Sequence, residues 1–346
     1  MAYQLKANKN IAVGNWLMVG VVMIIVQVVL GGITRLTESG LSITEWDVVS
    51  GILPPLTKAG WLEAFNGYKA TDQYKILKEG MTLAQFKWIF FWEYIHRLWA
   101  RTLGFVFAIP LAYFIIKQQI KREEIFKYLL ILVLGGMQGA MGWIMVASGL
   151  EDRVFVDPVK LMLHLFLAVI LLMLVYRLAL ENLQPPVVRL YNRSDRRLIS
   201  ALIIFIFIQI GFGALVAGSR AALAFPTWPR MGEVWIPNKL WSMQPIWHNF
   251  VENLATIQFM HRMTAYVLVL FVMYVVLRLR SVSAATSFHR ARTYLLIGIF
   301  VQLMLGIFTV MNSKLRIPVT LGVLHQLGAM IMILIATFMH YTYKYR

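Results

Sequence analysis

The sequence predicts an all-α polytopic membrane protein, eight transmembrane helices arranged as two pseudo-symmetric four-helix bundles. Three observations predict it: an apolar composition, eight long apolar runs, and a match between the two halves of the chain. Of 346 residues, 59% are hydrophobic and 14% charged, against roughly 45–50% and 25% in soluble domains. A soluble fold could not cover that much apolar surface. The same arithmetic excludes a disordered chain, a coiled coil and a nucleic-acid-binding module.

A bilayer-spanning helix needs about 20 apolar residues. Eight segments qualify, at about 13–34, 88–116, 125–148, 157–180, 198–219, 252–277, 292–311 and 317–342. Two long polar connections, 35–87 and 220–251, carry turn chemistry at Pro54-Pro55, Asn66-Gly67, Pro226, Pro229 and Pro237. They also hold Trp46, Trp61, Trp228, Trp235, Trp241 and Trp247, residues that favour the membrane–water interface. The first apolar run is too long for a signal-peptide core and is expected to be retained as a helix. The short polar start lacks the character of a transit peptide, which favours a bacterial inner (plasma) membrane.

The charge sets the expected orientation. The two tails and the connections near 117–127, 177–197 and 278–292 hold 17 of the 33 Lys/Arg and 4 of the 16 acidic residues, net +13, against +4 elsewhere. The positive-inside rule places both termini in the cytoplasm and both long loops outside. The overall charge of +17 is therefore a topology signal, and no nucleic-acid partner is expected.

The halves match along their length. Gln27 and Gly31 pair with Gln209 and Gly213 at an offset of 182, as do Leu41 with Leu223 and Trp46 with Trp228. His96-Arg97 matches His261-Arg262, Tyr128 matches Tyr294, Gln138 and Gly142 match Gln302 and Gly306, and Leu163-His164 matches Leu324-His325. The expected organisation is a tandem duplication, with one bundle in 1–183 and the other in 184–346. An even number of helices per unit gives both the same orientation, a parallel repeat.

There is no cysteine, so disulfides, thiolate metal sites and iron–sulfur clusters are excluded. Of seven His, four (His96, His164, His261 and His325) fall about 7–9 residues inside the outer ends of their helices, roughly 10–14 Å deep. Intramembrane ionisable residues are functional candidates. Two symmetric pairs, each able to face across its own bundle, suit bis-His haem ligation. Zinc usually takes three or four protein ligands and fits less well. A proton relay or interhelical hydrogen bonding is the competing reading.

Gln27, Gln138, Gln209 and Gln302 lie in the same layer, either bonding between helices or supporting a porphyrin or its ligands. Arg35, Arg97, Arg101, Arg220 and Arg262 lie near outer helix ends, placed to pair with haem propionates or to snorkel. One position breaks the symmetry. Glu93 stands three residues before His96, on the same helix face, where the second half has Gln258. An acid at one site and an amide at the other imply a reaction site able to take up protons and a fixed redox cofactor. The alternative is that Glu93 pairs with a neighbouring Arg.

The stretch Gly31-Gly-Ile-Thr-Arg-Leu-Thr-Glu-Ser-Gly-Leu-Ser-Ile-Thr-Glu-Trp46, then Pro54-Pro55 and Glu93-Tyr-Ile-His-Arg97, resembles the haem A synthase family, and Pro226-Thr-Trp-Pro229 fits too. The resemblance covers about residues 10–343. It implies oxidation of a methyl group of haem O to a formyl group, through an alcohol, giving haem A. It implies that His261 and His325 ligate a resident haem b and that His96 and His164 face the substrate haem, with Glu93 as the catalytic acid. It implies pathway neighbours, a haem O-producing farnesyltransferase and an electron acceptor, and a homo-oligomer is compatible with it. Some members carry paired cysteines in their outer loops, so this chain resembles the cysteine-free type. Two other readings compete: a diheme b-type electron carrier, which explains the four His equally well, and a transporter with His proton relays.

Overall fold

The computed structural model describes residues 10–44, 53–150, 154–183, 192–282 and 287–343. Trp46, most of both tails and residues 184–191 lie outside them. Ten α-helices follow in chain order: α1 (Ile11–Leu36), α2 (Lys58–Lys69), α3 (Asp72–Leu77), α4 (Leu83–Ile116), α5 (Ile125–Leu150), α6 (Pro158–Leu183), α7 (Arg193–Ser219), α8 (Leu254–Arg278), α9 (Ser287–Met311) and α10 (Val319–Thr342). Eight of these are long and apolar enough to cross a membrane; α2 and α3 are not. Among the described residues there is no strand, and a single bridge joins Met231 and Val234 in the second long loop.

The helix starts are set by side chains. Asn10 accepts from the Val13 N–H at 3.2 Å, and Asp157 accepts from Val159 and Lys160. Asn192 and Asn253 cap α7 and α8 in the same way. Each satisfies a donor that the first turn leaves open. Helix α4 begins five residues before the expected 88. A capping box between Thr82 and Gln85 nucleates it inside a polar stretch, Gln85 and Lys87 included, that hydropathy alone reads as loop.

The first long loop also folds more than its composition predicts. Helix α2 packs Phe65 and Tyr68 against Phe86, Ile89 and Phe90 at the start of α4, with Tyr74 of α3 against them, a small aromatic core at the loop end of that helix. Rings of Phe65 and Phe86 stack at 4.9 Å.

Helix α1 packs on α4 and α6, and α5 on α6; helix α7 packs on α8 and α10, and α9 on α10. The two sets meet where α6 lies on α7 and α1 on α10. The main core of fully buried side chains occupies the end of the bundle remote from the long loops. On α4, α6, α8 and α10 it begins at Phe107, Ala168, Leu268 and Met330; on α1, α5, α7 and α9 it ends at Val28, Ile131, Ile210 and Ile299. Six of these limits stop short of the histidine layer; Val28 and Ile210 reach it, beside Gln27 and Gln209.

An ionic clamp closes the loop end. Glu38 takes Arg220 of the α7 C-cap at 2.5 Å and Lys78, between α3 and α4, at 2.6 Å. Arg220 also lies 3.6 Å from the Phe155 ring centre. Burial raises the Glu38 carboxyl, but the hydrogen bonds and charges of Lys78 and Arg220 outweigh it and hold it below its ordinary value. A depressed folded-state value stabilises the fold above the ordinary carboxylate range and loses that contribution as pH falls through the depressed value. Melting temperature should therefore drop more steeply for the natural chain than for Glu38→Gln as pH is lowered from about 5 to about 3. Parallel curves would show that the clamp contributes nothing.

Candidate functional site

The four histidines of the layer sit on four glycines. A Cβ placed on Gly31 of α1 would lie 3.1 Å from His96 Nε2, and one on Gly142 of α5 would lie 3.0 Å from His164 Cε1. In the other set, a Cβ on Gly213 of α7 would lie 3.2 Å from His261 Cε1, and one on Gly306 of α9 3.0 Å from His325 Cε1. Each imidazole thus occupies the space that a side chain on the facing helix would fill. All four keep some accessible surface, although each lies well inside a membrane-length helix.

Four residues before each glycine stands a glutamine, on the same helix face. Gln27 donates to the His96 carbonyl at 3.2 Å, and Gln302 to the His325 carbonyl at 2.8 Å. Gln209 donates to the His261 carbonyl at 3.0 Å and rests against its Nδ1 at 3.0 Å, while its own oxygen accepts from Thr264 at 2.5 Å. Gln138 lies 3.3 Å from His164 Nε2. These glutamines therefore bond between helices, and what they bond is the histidines. The glycine at the fourth position carries the ring, a role that the sequence shows only as a repeated spacing.

The rings of His261 and His325 stand 6.3 Å apart between centroids, with planes 89° apart. Metal–imidazole bonds run about 2.0–2.1 Å and a ring nitrogen lies about 1.1 Å from its centroid, so two imidazoles on opposite sides of one metal stand about 6.3 Å apart. The pair fits bis-His ligation of a haem iron. His325 Nδ1 and His164 Nδ1 are buried without a hydrogen-bond partner. Among the described residues no three His, Asp or Glu side chains converge as a zinc site requires. The remaining histidines lie elsewhere: His248 pairs with Glu252 at 2.7 Å, Arg196 donates to His340, and His289 contacts Arg292.

Glu93 is 2% exposed and surrounded by donors. One oxygen accepts from the Ser42 N–H and hydroxyl, both at 2.7 Å, and from the Ile43 N–H at 2.9 Å. The other accepts from Arg97 Nε at 3.1 Å and Nη2 at 2.5 Å. The expected alternative, pairing with a neighbouring arginine, is thus present, together with an anchor to the chain leaving α1. In the other half the arginine anchor recurs with different chemistry. Arg97 donates to the Ile43 carbonyl at 3.1 Å, and Arg262 donates to the Phe225 carbonyl at 3.0 Å and to that of Thr227 at 2.8 Å. Gln258 donates to Phe225, and its own oxygen is buried without a partner.

The arginines divide. Arg97 and Arg220 meet the carboxylates of Glu93 and Glu38. Arg35 donates to the Ala217 carbonyl at 2.7 Å, and Arg262 bonds carbonyls alone. Neither of these two has a carboxylate partner among the described residues. Arg101, lower on α4, is partly buried.

The family model described as "Cytochrome oxidase assembly protein" matches residues 14–337. A protein named heme A synthase from Parvibaculum lavamentivorans is 42% identical over 317 residues, 91% of this chain and 90% of the relative. Proteins of the same name from Brucella ovis and Brucella abortus are 40% identical over 323 residues, 93% of this chain and 88% of theirs.

Proposed function

The chain belongs to the cytochrome oxidase assembly protein family, and from that membership we propose that it oxidises a porphyrin methyl group of haem O to the formyl group of haem A, through an alcohol. The observation that carries a haem chemistry is the 6.3 Å spacing of His261 and His325, in a layer where the apolar core stops. These two residues would hold haem b, which when bound supplies one-electron redox chemistry.

The chain's own residues divide the remaining work. His96 and His164 bind the substrate haem, with Gln27 and Gln138 fixing them from the neighbouring helices. Arg35 and Arg262 receive propionates. Glu93 is the acid of the site. A proton arriving on it removes one acceptor position and weakens the Arg97 pair, so proton uptake and loop anchoring meet at one carboxylate. The charge bias supports cytoplasmic termini and haem sites toward the outer face. A haem O-producing enzyme, an electron acceptor that takes four electrons in all, and water as the source of the formyl oxygen are what this reaction requires.

Haem identity tests the reading. The protein is purified from cells that make haem O, and its acid-extracted haem is resolved by chromatography and mass. Haem B together with haem O, its alcohol or haem A is expected. Haem B alone in both bundles would mean an electron carrier, and no haem would leave the proton-relay transporter.

A further inference from the structure

Adjacent residues on α10 face in two directions. His325 turns to His261 and rests on Gly306. Gln326 reaches the other way, across the seam between the two sets of helices, and donates from Nε2 to the Val28 carbonyl of α1 at 3.1 Å. Its Oε1 lies against buried Gly32, where a Cβ would stand only 2.7 Å from it. Val28 and Gly32 are one turn apart, so the amide straddles that turn.

The same stretch of α1 holds His96. Gln27, beside Val28, bonds the His96 carbonyl, and Gly31, beside Gly32, carries the His96 ring. Four residues of α1 thus contact a histidine of one pair on one side and the chain neighbour of a histidine of the other pair on the other. Among the described residues the opposite seam has no such amide. Leu165 follows His164, and next to it Phe166 packs on Gly211 and stacks on Phe207 at 4.2 Å. Among the described residues this amide link lies on the α1–α10 seam, and one turn nearer the loops Arg35 of α1 reaches the Ala217 carbonyl of α7.

We propose that Gln326 is a positioning residue that sets the His96 site from the helix bearing His325. Its amide fixes the register of α1 against α10, and α1 passes that register to His96 through Gln27 and Gly31. This inference rests on the haem reading of the two histidine pairs.

The test uses the full chain and haem B as probe, titrated by its absorbance in two backgrounds. His261→Ala/His325→Ala leaves the His96/His164 pair, and His96→Ala/His164→Ala leaves the other. Gln326→Leu, which copies Leu165, is expected to weaken haem B binding at the His96/His164 pair by about tenfold, the scale of one interhelical hydrogen bond. At His261/His325, one residue away in sequence, it should change binding less than about twofold. Gly32→Ala, which displaces the amide without altering α10, should reproduce the split if the leucine variant does not fold. Unchanged binding at the His96/His164 pair, or a larger loss at the other pair, overturns the proposal while leaving the haem reading in place. Failure of the natural chain to bind haem B at either pair removes both.

Discussion

Gly306→Val is expected to empty the His261/His325 pair almost as completely as His325→Ala. The added Cβ would stand 3.0 Å from His325 Cε1, with both ring nitrogens within 3.6 Å, and the valine methyls reach further. The ring must move away, and the 6.3 Å spacing that suits one metal between two imidazoles goes with it. Loss of a group that orients a metal ligand costs about 10- to 100-fold in affinity, and a displaced ligand belongs at the upper end. Gly306→Ala should lie between. Gly298→Ala is the control: it lies on the same helix, and its Cβ would meet Met332 at an ordinary 3.6 Å. Haem B per mole of protein, read from its pyridine complex, decides. A Gly306→Val protein that keeps its haem would mean that the glycine only packs helices. Gly142→Val makes the matching change beneath His164, and should affect the His96/His164 pair alone.

Period and composition made the membrane spans legible, because hydropathy is summed over many residues and tolerates local noise. The histidine layer was legible for a different reason: an ionisable side chain within an apolar run stands out singly. The contacts that build the site were not. That Gln27 and Gly31 act on His96 depends on which helix lies opposite, and the repeated spacing of glutamine and glycine recorded the outcome without its cause. Polar helix starts were missed where caps override hydropathy, at Thr82 and Asn192. Helices α2 and α3 were missed because their aromatic residues bury against the α4 extension, a contact between distant segments. Gln326 carried no signal at all, being one polar residue beside a histidine that already accounted for its position.

Glu93→Gln should cost both stability and product, and the question is whether the two losses have one origin. Glutamine keeps an acceptor for the Ser42 and Ile43 N–H groups, but turns an amide N–H₂ toward Arg97, donor against donor. Arg97 then loses the Glu93 carboxylate while keeping the Ile43 carbonyl, so the cost should fall below the roughly 3–5 kcal/mol of a buried charge left wholly uncompensated. A fall in haem A production in this variant therefore does not separate chemistry from anchoring, although glutamine is what the other half carries at Gln258. Pairing the change with Arg97→Met does separate them. The double variant removes the arginine's charge as well and retains the acceptor for the Ser42 and Ile43 N–H groups, at the loss of the Arg97 bond to the Ile43 carbonyl, so part of the lost stability should return in thermal unfolding in detergent. If Glu93 moves a proton during oxidation of the methyl group, haem A production in the double variant should stay down by at least about 100-fold, within the range that a general acid or base contributes. Recovery of product in step with stability would assign Glu93 to holding the Ser42–Ile43 turn on α4, and the proton would have to pass elsewhere.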